Sequence, residues 1–199
     1  MAKIRLSSAE LELVSDPSLI LTKNGIVKKA WSLLAELQVK QDEVLDGNTS
    51  LPSEVLTNPG KISKGENYMG LPYLILDHPR AFFRDGVLAI RTMFWWGNFF
   101  STTLHLSGKY KKQFQEKIIA NHDAFANDYS ICINENEWEH HFGETNYSPV
   151  KRFDKSNFAR EINERKFIKI SKTVPFQQWE TAVELLFIDF VFLLKKMED

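Results

Sequence analysis

Hydrophobic positions recur at helical spacing over 25–45. Ile26, Ala30, Leu33, Leu37 and Val44 form one stripe, which Trp31 and Leu34 widen. Lys28, Lys29, Glu36, Lys40, Asp42 and Glu43 supply the wet side, and Asn24 can cap the start by accepting a first-turn N–H. The same period returns over 107–123, where Tyr110, Phe114, Ile118 and His122 lie four apart. Shorter helices are expected over 8–14, over 134–142 with Gly143 as the stop, and over 156–164. A last helix starts near Pro175, which suits a first turn, and runs to about residue 196. It is apolar nearly all round over 185–194, which places it at the centre of the fold.

The middle of the chain changes period. Residues 73–76 are a short apolar run ended by Asp77-His78-Pro79, and 87–96 and 99–106 are rich in aromatic and β-branched residues. The pair Gly97-Asn98 between them suits a two-residue hairpin turn. That turn sets Phe94 opposite Ser101, Ile90 opposite His105 and Arg91 opposite Leu104, so Arg91 and His105 fall on opposite faces. Further strands are expected over 129–133 and 167–172, while 46–70, with its glycines and prolines, reads as a long covering loop. The class that follows is α+β: an antiparallel-rich sheet containing an aromatic hairpin (turn at 97–98), packed against long helices including 25–45 and 175–196. No linker divides the chain, so 1–199 is read as one domain.

Composition narrows the function. With 43% hydrophobic and 13% aromatic residues in a chain of 199, there is ample apolar surface for a core, which excludes a disordered class. A net charge of -1 removes any global pull toward nucleic acid, and that partner is disfavoured. Residues 1–7 carry no apolar targeting segment, and the apolar stretch 185–194 contains Asp189 and is too short to span a bilayer. One cysteine, Cys132, cannot form an internal disulfide. The expected compartment is the cytoplasm, without a membrane partner. Neither GxGxxG, GxxxxGK[ST], GxSxG, HExxH nor CxxC occurs, so no cofactor is expected.

What remains are constellations. Phe94, Trp95, Trp96, Phe99 and Phe100 flank one turn on both faces of a hairpin that needs only one apolar face. They are either doubly covered core or the walls of a pocket, with Trp95, Trp96, Asn98 and Phe100 as ligand-binding candidates. Arg91, inside a strand with apolar neighbours, needs a carboxylate (Asp77, Asp85 or Asp189) or an anionic ligand. His105 and His78 are the candidate catalytic histidines. On the helix expected over 134–142, Glu137 precedes His140 by three and His141 by four residues. His122 and Asp123 are the candidates for a third ligand, but the set lacks a defined third member and no bound metal is expected. Residues 121–150 contain no Lys or Arg, whereas 151–172 hold eight basic residues against three acids, so the two segments can neutralise each other. Three function classes follow. They are a small, anionic ligand held in an aromatic-walled pocket near the 87–106 hairpin, a non-catalytic interaction or homo-oligomeric module, and a metal-dependent activity at 121–144.

Overall fold

The computed structural model describes residues 4–198. Met1–Lys3, part of the segment read for a targeting signal, and Asp199 lie outside the described residues. The elements are α1 (Ser8–Ser15), α2 (Pro17–Leu45), α3 (Ser53–Leu56), β1 (Lys61–Tyr68), β2 (Leu71–Phe83), β3 (Gly86–Trp95) and β4 (Phe99–Ser107). They continue with α4 (Gly108–Ala120), α5 (His122–Phe125), β5 (Ser130–Cys132), β6 (Tyr147–Pro149), α6 (Lys155–Glu164), β7 (Phe167–Val174) and α7 (Ala182–Glu198). One seven-stranded sheet runs in the order β1-β2-β3-β4-β7-β5-β6, and every pairing is antiparallel. The expected α+β class holds, with the long helices on one face.

Strand alternation separates two surfaces. Leu88, Ile90, Leu104, Leu106, Ile168 and Ile170 point to the helices and join Phe114, Phe158, Phe190 and Leu193 in one cluster. Leu74, Leu76, Phe94, Phe100 and Val174 meet Leu34 and Leu37 of α2 and Leu186 of α7 in a second. A polar row marks the border between them: Thr92 pairs with Thr102, Thr102 with Lys172, and Lys172 Nζ reaches Asp189 Oδ1 of α7 at 3.0 Å. The opposite face carries Asp77, Arg91, Thr103, His105, Lys169 and Ser171 and is roofed by residues 133–146, the connection between β5 and β6.

Several expectations need correction. Helix α2 begins at Pro17, not near Gly25. Asp16 caps it by accepting from Ser18 N, Pro17 suits the first turn, and the helix continues through Gly25. Asn24 therefore lies inside the helix rather than capping it. The stretch 46–70 is not all loop: it holds α3 and the edge strand β1, whose mostly exposed polar residues hid it from an apolar-run reading. Strand β2 passes through Asp77-His78-Pro79 with a register shift between Asp77 and Arg80 instead of stopping there. The hairpin exists, but its loop has three residues. Asn98 N donates to Trp95 O (3.0 Å), and only Gly97 has a positive φ (+73°), whereas a two-residue type I′ turn needs positive φ at both positions. Phe94 thus faces Phe100, and Arg91 faces Thr103, one residue off the expected register. Arg91 and His105 consequently share a face.

Residues 134–142 do not form a helix. Asn134 Oδ1 accepts from Asn136 N, and Asn136 Oδ1 accepts from Trp138 N, so asparagine side chains take the N–H groups a helix would use. Glu137, His140 and His141 are accordingly not aligned on one helix face.

Candidate functional site

The floor of the covered face is set by register. Asp77, Arg91, Thr103 and Ser171 form one row across β2, β3, β4 and β7, and Ala89, His105 and Lys169 form the adjacent row. The shift between Asp77 and Arg80 changes strand parity. Asp77 and Phe82, of opposite parity, therefore both reach Arg91. Asp77 accepts two bonds from the guanidinium, from Nε at 2.7 Å and Nη2 at 3.0 Å, and the Phe82 ring lies 5.8 Å from its centre. This is the structural ion pair with the first of the three carboxylates considered. Asp189 instead holds Lys172 and the Tyr129 hydroxyl.

The roof is an irregular strap anchored largely by polar bonds. Arg91 Nη1 donates to His140 Nε2 (3.0 Å), His105 Nε2 meets Glu137 Oε2 (2.7 Å), and Lys169 Nζ donates to the Glu139 carbonyl (2.5 Å). The Tyr68 hydroxyl, on β1 at the far side of the sheet, accepts from the His140 and His141 amides at 2.6 and 3.0 Å. It also lies 3.0 Å from Glu139 Oε2. Trp138 packs edge-on to His105, and Phe142 packs on Phe99 and Tyr147.

Burial sets the protonation states. Desolvation lowers His105 despite the Glu137 carboxylate beside it, so neutral His105 donates from Nε2. Burial, reinforced by Lys169 and Arg91, pushes His140 down to about 2, so its Nε2 is a free acceptor for Arg91. Burial lowers Lys169, only 1% exposed, to about 8. Burial raises Tyr68, Tyr147 and Cys132. A lysine shifted toward neutrality beside a histidine–carboxylate pair is the kind of perturbed cluster found at functional sites. Lys169 and Tyr68 were missed in the sequence. The alternating run Phe167-Ile168-Lys169-Ile170-Ser171 carried a signal for the first, but nothing local pointed to the second.

A second, open feature lies at the other end of the hairpin. Ile26 and Lys29 of α2, Phe94 and Trp96, and Phe176 and Trp179 before α7 line a groove of about 570 Å³, with Glu180 at its rim. Trp96, Phe176 and Trp179 are half-buried, so their rings are accessible. Phe100 lies behind them, with Phe176 at 5.1 Å and Trp179 at 5.3 Å. The hairpin candidates are thus divided. Trp96 lines the groove and Phe100 backs it, Asn98 is exposed at the turn, and Arg91 and Trp95 lie on the strap face.

The remaining candidates have separate partners. Neutral His78 donates from Nε2 to Asp42 Oδ1 (2.8 Å), burial having lowered it. His122 contacts the Phe153 carbonyl and Asp123. Glu137, His140 and His141 go to His105, Arg91 and Tyr68, and among the described residues no cluster of three metal-ligating side chains occurs. The acidic and basic segments do meet, through Lys155–Asp123, Lys172–Asp128 and Arg165–Glu135. Among the described residues, no helix is long and apolar enough to cross a membrane. No protein family, curated protein or solved structure matches the chain.

Proposed function

We propose that the protein binds a small organic ligand in the groove between the hairpin tip, α2 and the segment before α7. The observation that carries this reading is the lining itself. Four aromatic rings, three of them accessible, meet in one concavity with a single lysine and a single glutamate at its edge. Apolar walls with few polar groups are the usual make-up of a small-molecule site. A planar or aromatic body would stack on Trp96 and Trp179, and an anionic group would reach Lys29. We assign the cytoplasm as the compartment, in keeping with a chain whose single, buried cysteine gives it none of the disulfide framework that small secreted domains use.

The probe is an anilinonaphthalene sulfonate dye, which combines aromatic rings with one anion. One-to-one fluorescence enhancement is expected, weakened at least about tenfold in Trp96→Ala and less in Lys29→Glu. Unchanged affinity in both variants would remove the groove as a site.

A second reading, self-association, is favoured by the N-terminal helices. No residue of α1 is buried, and Leu11, Leu13, Val14, Leu19, Ile20 and Leu21 are all more than half exposed. Sedimentation equilibrium tests it: a dimer that becomes a monomer in Leu13→Glu/Ile20→Glu supports it, and a monomer throughout ends it.

A further inference from the structure

The strap-covered face holds donors that are expensive to bury. Arg91 and Lys169 are 9% and 1% exposed, and Asp77 is the one carboxylate of the floor beside them. The floor by itself therefore carries one more cation than anions. His105 adds an N–H, and the Thr103 and Ser171 hydroxyls, 2.7 Å apart, sit in the Arg91 row. Each of the three main donors is capped by the strap rather than by the sheet: Arg91 Nη1 by His140, His105 by Glu137, and Lys169 by the Glu139 carbonyl. The strap is suited to stand in for an anion, because 133–146 contain four glutamates and neither Lys nor Arg. Further along β3 on the same face, Trp95, 95% buried, has an indole N–H without an acceptor among the described residues.

We infer that the strap occupies, as an internal stand-in, a binding site for an oxyanion-bearing small molecule, and that such a ligand binds by displacing it from Arg91, His105 and Lys169. Carboxylate and phosphate share the chemistry this floor offers: a guanidinium fixed by Asp77, an ammonium and a neutral imidazole N–H. The covering strap reduces apparent affinity by the fraction of time it is closed. Loosening it should therefore tighten ligand binding, the reverse of what removing a true ligand contact does.

The test measures inorganic phosphate and citrate binding by calorimetry in the native chain, Glu137→Gln and Lys169→Met, with hydrogen exchange of the strap amides in parallel. One or both anions should bind Glu137→Gln about tenfold more tightly than the native chain, speed exchange of the His140 and His141 amides, and fail to bind Lys169→Met. Phosphate alone would identify a phosphate monoester class, and citrate alone a carboxylate class. Trp96→Ala should leave all of this unchanged, which separates this site from the groove. No binding of either anion by a folded Glu137→Gln, or binding that Lys169→Met retains, would overturn the inference.

Discussion

The two faces of the sheet are built from the same strands and differ in what holds them covered. On the helical face, alternate residues of β2, β3, β4 and β7 bury leucine, isoleucine and phenylalanine against α2, α4 and α7. On the other face, the intervening residues include arginine, histidine, lysine, serine and threonine beside a smaller apolar cluster of Ile75, Met93 and Trp95, and the polar set is covered by a strap fixed mainly by hydrogen bonds. Apolar burial is worth roughly 25 cal/mol per Å², whereas a polar bond formed in exchange for water nets about 1 kcal/mol. The first face therefore carries most of the stability of the fold, and the second is expected to open at lower cost than global unfolding. Function is more readily placed on a surface of the second kind, or at the rim where aromatic rings remain accessible.

The largest break in this comparison should come from the helical face. Phe100→Ala, at a fully buried site between Phe94, Phe176 and Trp179, should cost about 3–5 kcal/mol in urea denaturation. Trp138→Ala, on the strap, 46% exposed and packed edge-on to His105, should cost only about 1 kcal/mol. Equal losses would abolish the distinction.

Nearly as large is the expected effect of Asp77→Ala, which leaves the Arg91 guanidinium buried without its carboxylate at a cost of about 3–5 kcal/mol. Asp77→Leu combined with Arg91→Met should recover most of that loss. A double variant as unstable as Asp77→Ala would mean that the pair contributes more than mutual neutralisation.

Lys169 links the covered face to pH. Its value falls from the ordinary 10.5 to about 8, so below pH 8 both the folded and unfolded chains hold the proton. The penalty for the buried charge, about 3 kcal/mol, is then fully present. It fades as pH rises from about 8 to about 10.5, where only the unfolded chain remains protonated. Lys169→Met, which also loses the bond to Glu139, should be more stable than the native chain at pH 7 and lose that advantage by pH 10.5. A pH-independent difference between the two would contradict the assignment.

Smallest is the polar row between the two apolar clusters. Among the described residues, the Thr92 and Thr102 hydroxyls, both amide atoms of Gln41 and one oxygen of Asp189 are buried without a protein partner. Thr92→Val and Thr102→Val should each stabilise by about 1 kcal/mol, because an unpaired buried hydroxyl is removed without loss of volume. Destabilisation would show that bridging water satisfies the row.

The elements with strong apolar periodicity were legible: α4, α6, β7, the hairpin and the last helix, although α7 begins at Ala182 rather than near Pro175 and, with Ile188 61% exposed, lies on the sheet instead of being buried all round. Asp77 was among the partners expected for Arg91, because a buried guanidinium requires one. The covered face was not legible, for two local reasons. A turn with one positive φ instead of two adds Trp96 to the loop, and that one-residue slip moves Arg91 and His105 from opposite faces to the same face. In the strap, Asn134 and Asn136 divert backbone N–H groups, and Tyr68 captures those of His140 and His141. That second anchor lies some seventy residues away in sequence, where no periodicity could reveal it.

Native-state hydrogen exchange resolved at single amides tests the central distinction most directly. The His140 and His141 amides, which donate to Tyr68, should exchange through a local opening insensitive to low denaturant. Amides of the β3–β4 ladder should exchange only with global unfolding. If the strap amides instead show the same free energy and denaturant slope as the ladder, the strap is core rather than cover, and the division between the two faces fails.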